Sequence, residues 1–334
     1  MKTVKIGIVG LGWVSQVFHL PILKKLSDVE IVAICDIDKT KCQVVAEKFG
    51  IRKYYTNYID MFEHEDINAV DICTPTDTHK AIILEATKRN LNIFVERPVA
   101  RYHQEAVDIA EAVNEKKIKL MVGMNNRFRP DMMLLKSIIE SNELGKIMYV
   151  KTGWIKKIST DKKWMIQIDK SGGGVFIDLG LAALDTLLWT VNFTEIKRVS
   201  AFTFYNTTKN VEDTCIAYFE TKDNAVLTLE TSWSFQTVTD QFYCDIYGTK
   251  GTAQINPLKI FKNYGTDVVN VFPTKLESPQ NIAKKSYENE LKHFIGSVRD
   301  LHPLISTIDE AIKRMKVVEA VYKSAKSKKE IVIK

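Results

Sequence analysis

The sequence predicts a two-domain α/β protein: a parallel sheet covered by helices on both faces, then an α+β domain with an open, mainly antiparallel sheet. Three observations carry the prediction. Residues 1–123 alternate short apolar strands with helical patterns, the signature of a parallel sheet buried on both sides. From Lys197 to Asn256 the alternation becomes that of half-buried strands joined by short turns. At 334 residues the chain also exceeds the size at which one hydrophobic core keeps growing.

Taken in order, Val4 to Val9 forms a first strand that runs into the turn Gly10-Leu11-Gly12-Trp13-Val14-Ser15, followed by a helical run and a second strand ending on Asp36. A dinucleotide-binding βαβ unit requires this order: Gly10 makes the tight turn, and Gly12 lets the backbone approach a pyrophosphate at the helix N-terminus, with Trp13 and Val14 on that turn. Asp36 lies 24 residues beyond Gly12, near the usual distance of about 20 for the acid that hydrogen-bonds the adenosine ribose. Its charge repels a 2′-phosphate, so the reading is a Rossmann domain taking NAD over NADP, with Lys39 and Lys41 leaving NADP as the alternative. Ser15 stands in the third glycine position and loosens helix-on-strand packing slightly.

Pro21 is expected to kink or end the first helix. The helix from Lys39 to Phe49 is bounded by Asp38 as N-cap and Gly50 as C′ residue. Further strands are expected at Glu30 to Cys35, Ala69 to Cys73, Asn92 to Val95 and Lys119 to Gly123, with helices between. A second domain, residues 124–334, begins with a helix from about Asp131 to Glu143 and a strand at Ile147 to Trp154. A polar loop around Ile158 to Lys163 comes next, then a helix after Gly172-Gly173-Gly174. Strands at Asp213 to Glu220 and Ala225 to Phe235, then helices at Ser286 to Asp300 and Thr307 to Ser324, complete it, with the C-terminal helix packing back on the first domain. An open sheet has a second face to cover, and self-association into a homodimer or homotetramer covers it.

Composition excludes several classes of function. The 47 basic and 41 acidic residues are mixed along the chain apart from the run at Lys323 to Lys329, a solvated helix end, so no nucleic-acid partner is expected. Five cysteines without CxxC spacing, two of them in apolar strand patterns, point to a reducing cytoplasm. No apolar run approaching 18 residues is evident, so no membrane span or leader is expected.

Ligands of an open α/β sheet bind beyond the carboxyl ends of its strands. Three segments lie there: Thr74 to His79, Glu96-Arg97-Pro98, and Gly123 to Pro130. With the glycine turn they ring a nicotinamide, and a cis bond before Pro98 would aim Arg97 at a ligand. At these residues the chain resembles the Gfo/Idh/MocA oxidoreductases, the group of glucose-fructose oxidoreductase and inositol dehydrogenases, over essentially its whole length. That family has Glu-Lys-Pro where this chain has Glu96-Arg97-Pro98. It has Asp-x-Gly-x-His-x-x-Asp where this chain has Asp178-Leu179-Gly180-Leu181-Ala182-Ala183-Leu184-Asp185. Glu96, at a strand's carboxyl end, is placed to orient Arg97 or bond the nicotinamide ribose, and the resemblance implies that Thr74, Pro75 and His79 border the cofactor. It also implies that Asn125 and Arg127 lie near cofactor and substrate, that Asp178, position 182 and Asp185 face the substrate, and that the sheet mediates oligomerisation.

The resemblance further implies hydride transfer to or from a sugar, cyclitol or other polyol, but the lysine and histidine that manage the hydroxyl proton are replaced by Arg97 and Ala182. Arginine stays protonated and serves as a donor to an alkoxide, not as a base. No histidine lies between residues 104 and 292 to compensate. Three readings follow: a dehydrogenase or reductase in which Asp178, Tyr149 or Lys157 handles the proton; a protein that binds NAD and a sugar-like ligand without turnover; and a redox-assisted lyase or glycosidase that retains its NAD. Several residues have a plainer role beside the functional one. His79 at a helix start also reads as a cap or surface residue, Glu96 as an ion-pair partner of Arg97, and Asp178 as compensation of a helix macrodipole. Asp185, two turns beyond Asp178, also reads as its support. Arg127 and Arg129 suit an anionic substrate group or an ion pair, and Trp164 a sugar ring or simple burial. No metal site is expected.

Overall fold

The computed structural model, described over residues 3–157, 163–271 and 278–333, divides into two compact units. The first comprises Met1–Asn125 with Ala283–Ile312, and the second Asn126–Ile282 with Lys313–Lys334.

In the first unit a six-stranded parallel sheet is built from β1 (Val4–Val9), β2 (Val29–Cys35), β3 (Lys53–Tyr55), β4 (Ala69–Ile72), β5 (Asn92–Val95) and β6 (Leu120–Val122). Their order in the sheet is β3-β2-β1-β4-β5-β6. The order reverses beside β1, and the crevice at that reversal is where such sheets take their ligands. Strand β3 is the one the sequence reading lacks, because its three residues, Lys53, Tyr54 and Tyr55, present no apolar run. Ile6, Ile8, Val70 and Ile93 are fully buried at the sheet's centre.

The helix Lys39–Phe49 starts where Asp38 accepts from the Lys41 amide at 3.0 Å and stops where Gly50 turns left-handed at φ 63°. The α-helix that holds Pro21 ends at Leu23, two residues further on. A π turn, Ser15–His19, precedes it, with the Leu20 amide donating to the Ser15 carbonyl, and Leu20–Leu23 continues as α-helix with Pro21 in its first turn, where no amide donor is needed. The segment Ala283–Ile312 finishes this unit. Ser306 brackets β6, accepting from the Val122 amide at 2.9 Å and donating its hydroxyl to the Val122 carbonyl at 2.6 Å.

The second unit carries a nine-stranded mixed sheet: β7 (Ile147–Ile155), β8 (Ile196–Phe204), β9 (Thr214–Thr221), β10 (Val226–Ser232), β11 (Gln241–Gly248), β12 (Gly251–Ile255), β13 (Lys259–Tyr264), β14 (Asp267–Val271) and β15 (Ile331–Val332). The order is β14-β13-β12-β11-β7-β10-β9-β8-β15. Every pairing is antiparallel except β7 with β10. One face, with Val150, Thr152, Phe219, Leu227 and Leu229, is buried, and the helix Leu181–Thr190 packs on β7 and β10. The stretch Ile168–Thr190 is long and apolar enough to cross a membrane, which corrects the expectation that no such run exists, but it is 89% buried within the protein and serves as its core helix. The expected polar loop at Ile158 to Lys163 falls, for residues 158–162, outside the described residues.

Candidate active site

The glycine turn of the first unit is shaped by two different constraints. Gly10 has φ +95°, and a Cβ there would lie 2.6 Å from the carbonyl carbon and oxygen of Cys73. Only glycine lets β1 and the end of β4 approach so closely. A Cβ on Gly12, by contrast, would meet nothing within 4 Å. The turn is exposed there, with the room above the helix N-terminus that a diphosphate would fill. Asp36 is 9% exposed, and its carboxylate accepts from the Leu11 amide at 2.9 Å and the Asp38 amide at 3.0 Å, with Lys41 Nζ at 3.1 and 3.2 Å from its two oxygens. The acid is thus locked to the turn itself, and the set fits an adenine dinucleotide. Trp13 is exposed and packs edge-on against Phe18, which stacks on Tyr287. Val14 is half-buried.

Thr74 and Pro75 lead into the helix Thr76–Lys88, and the Thr78 hydroxyl donates to Thr74 Oγ1 at 2.7 Å. His79 neither caps at the surface nor presents a free face to a ligand. It is buried, with Nδ1 2.8 Å from the Pro98 carbonyl and Nε2 2.9 Å from the Thr74 carbonyl, a strut between two of the loops. Burial pushes its pKa down against the pull of those carbonyls.

At the end of β5 the Arg97–Pro98 peptide is cis. Glu96 Oε1 lies 3.2 Å from His19 Nε2, and Oε2 accepts from the Arg97 amide at 3.3 Å. His19 Nδ1 is 2.8 Å from Asp71 Oδ2, and both side chains are fully buried. Burial opposes ionisation of Glu96, but His19 and Arg97 hold its carboxyl below the usual range. Glu290 shifts the opposite way: burial and the Glu96 charge push its pKa well above the usual carboxylate range, and its Oε1 accepts from the Met124 amide at 2.5 Å. Asn125 donates to Ser286 Oγ at 3.1 Å. Glu290, Tyr287 and Ser286 lie more than 150 residues from their partners in sequence, and no local signal marks them.

In the second unit the glycine triplet is held by Glu212, which the sequence reading missed. Its carboxylate accepts from the amides of Gly174 and Phe176 at 3.0 Å and from the Tyr322 hydroxyl at 2.9 Å, and so caps the helix. A Cβ on Gly174 would lie 2.0 Å from the Glu212 carbonyl. Asp178 sits in a π turn, Phe176–Gly180, half-buried, and accepts from Trp233 Nε1 at 3.2 Å. Ala182, one turn on, is 3% exposed.

Asp185 and Arg127, both expected near the substrate, hold each other in an ion pair. Arg127 Nε and Nη2 grip the Asp185 carboxylate at 2.7 and 2.6 Å, and Arg314 Nη1 adds a third bond at 2.7 Å. All three are buried, and Phe193 lies under both guanidinium groups. This is an internal charge cluster. Arg129 is likewise engaged, bidentate to Asp131 and bonded to Asn256. Tyr149 stacks on Tyr247 and bonds Thr228 on the open face of the sheet, opposite the face that the helix Leu181–Thr190 covers. Trp164 is half-buried in a short 3₁₀ turn, Lys163–Ile166, and Lys157 is exposed.

Comparison with known proteins accords with this arrangement. Residues 4–124 match the model of the GFO/IDH/MocA oxidoreductase family's NAD-binding Rossmann fold, and residues 132–254 that of a GFO/IDH/MocA C-terminal domain. The chain is 27% identical to scyllo-inositol 2-dehydrogenase (NAD(+)) of Bacillus subtilis, over 92% of this chain and 90% of that protein. It is 23% identical to D-glucoside 3-dehydrogenase of Escherichia coli K12, over 97% and 95%. Levoglucosan dehydrogenase, solved with NADH and L-sorbose, shares the fold at TM-score 0.89, with 18% identity and complete coverage of both chains.

Proposed function

The chain belongs to the GFO/IDH/MocA oxidoreductase family, and from that premise we propose that it is an NAD(H)-dependent oxidoreductase passing hydride between the nicotinamide and a hydroxyl or carbonyl carbon of a sugar, cyclitol or related polyol. The single observation that carries the cofactor half is the Gly10–Asp36 arrangement: a turn open above Gly12, closed by a carboxylate that the same turn's amide holds in place. Bound NAD supplies the hydride acceptor. Asp36 favours the ribose hydroxyl of NAD over a 2′-phosphate, and Lys41, paired with it, moderates that preference.

For the proton, Arg97 is a fixed cation that donates to a developing alkoxide. Asp178, the half-buried carboxylate whose orientation Trp233 fixes, is the group we assign as acid and base. Relatives named as inositol and glucoside dehydrogenases support the substrate class. A homodimer or homotetramer formed through the open face of the second unit's sheet belongs to the same proposal.

A second reading, NAD and ligand binding without turnover, is favoured by one observation: the position of the family histidine is a buried alanine. A panel of polyols, inositols and glycosides with NAD separates the two. The oxidoreductase reading predicts NADH formation with at least one panel member, and loss of about 10² or more in rate for Asp178→Asn. Binding with no NADH, together with turnover gained by the double variant Arg97→Lys and Ala182→His, would favour the second.

A further inference from the structure

We propose that His19 is the positioning residue of the Glu96–Arg97 corner: seated between Asp71 at 2.8 Å and Glu96 at 3.2 Å, it fixes the Glu96 carboxylate and, through it, the peptide that carries Arg97. The inference rests on the cofactor reading above and says which buried group holds the nicotinamide end of that site in shape.

The geometry begins with the π turn. Widening one turn of the helix places a residue with no side-chain exposure, His19, directly beneath the sheet's carboxyl ends. Every element packed around it presents a group to it. From β4 and the residue pair after it come Asp71, and Cys73 with Sγ 3.3 Å from His19 Nδ1. Beyond β5 stand Glu96 and the Arg97 charge, with the Phe94 ring edge-on at 5.4 Å. The helix Pro279–Val298 brings Tyr287, its ring 6.0 Å away, and the carboxyl of Glu290, whose pKa burial and the Glu96 charge raise.

A buried ion without a partner is expelled or neutralised. Asp71 and Glu96 therefore need a cation between them, and His19 is the group that touches both. Burial alone would lower its pKa, but Asp71 and Cys73 more than offset this and raise it well above the ordinary value. An imidazolium here lies between the two acids, with His19 Nε2 3.2 Å from one Glu96 oxygen and the Arg97 amide 3.3 Å from the other.

The donor atoms of His19, Asp71 and Cys73 also lie within 4.8 Å of one another, as a metal site would require. That is three donors where a structural zinc takes four, and burial with the Asp71 charge pushes the Cys73 thiol far up.

The test uses the full chain labelled with ¹⁵N-histidine. At pH 7.5 His19 should show two protonated ring nitrogens, and Asp71→Asn should convert it to the neutral form. A neutral ring in the unaltered protein, or stoichiometric zinc after purification, overturns the proposal. In parallel, NADH affinity is measured for His19→Gln, which keeps a donor towards Glu96 and loses the charge. We expect at least a tenfold weaker Kd with the adenosine-ribose contacts intact, read as unchanged affinity for ADP-ribose. A folded variant with unaltered NADH affinity overturns the proposal, and the NMR signature in the native protein decides the matter if the variant does not fold. Failure of the cofactor reading is separately visible, as an unaltered protein that binds no NADH.

Discussion

At the scale of single residues, the same side-chain types serve opposite ends. Asp36 is legible from sequence because its role depends on distance along the chain from a glycine turn, and the structure ties it to that turn by the Leu11 amide. Asp185 and Arg127 are not. Their positions mark them for a ligand, but Arg314, 129 residues away, completes a buried cluster around the carboxylate. Removing one partner of such a cluster leaves uncompensated charge inside the protein. Arg127→Ala should therefore cost about 3–5 kcal/mol in urea unfolding, whereas an arginine that only held substrate would leave stability nearly unchanged. Burial works against ionised Asp185, yet the two guanidinium groups lower its pKa below the usual carboxylate range. The sign follows: this stabilisation is complete above the unfolded value of about 4 and is lost as pH falls through the lower folded value. The gap between the two proteins should close in acid.

At the scale of elements, periodicity and capping signals give the helix Lys39–Phe49 and five of the parallel strands closely, because a cap residue and an apolar run are local facts. What escapes is whatever a distant segment supplies. Pro21 is expected to kink or end its helix, and the α-helix stops at Leu23, but the π turn before it has no signal in the sequence. The capping of the glycine triplet by Glu212 is equally invisible, since the acid comes from 38 residues further along. Gly10 offers the sharpest element-scale prediction. Its backbone is left-handed and in contact with the Cys73 carbonyl, so Gly10→Ala should lower stability by more than about 1 kcal/mol and weaken NAD binding. Gly12→Ala, in open space, should leave stability alone and affect NAD only. Thermal unfolding with and without NAD distinguishes the two.

At the scale of the whole molecule, the sequence suggests a sheet with one face to cover and a return of the C-terminal helix to the first domain, whereas the returning segment is Ala283–Ile312, placed by contacts far apart in sequence. The uncovered face is apolar for its position. Phe202 pairs with Ile216, Tyr218 is the next outward residue on β9, and Tyr247 stacks on Tyr149, with exposures of 61%, 40%, 41% and 37% for Phe202, Ile216, Tyr218 and Tyr247. A row of that kind is what a subunit interface requires. Sedimentation should show a dimer or tetramer, and Phe202→Glu with Ile216→Lys should dissociate it. An unaltered protein that sediments as a monomer would contradict the proposed assembly.

All of this depends on the first unit gripping an adenine dinucleotide through its glycine turn and Asp36. Calorimetry on ligand-stripped protein tests that most directly. The account predicts heat of binding with NAD, a weaker response with NADP, and a narrowing of the difference by about tenfold in Asp36→Ala, equivalent to about 1.4 kcal/mol. Absence of heat with either coenzyme, or an NAD-to-NADP ratio that Asp36→Ala leaves unchanged, would contradict it.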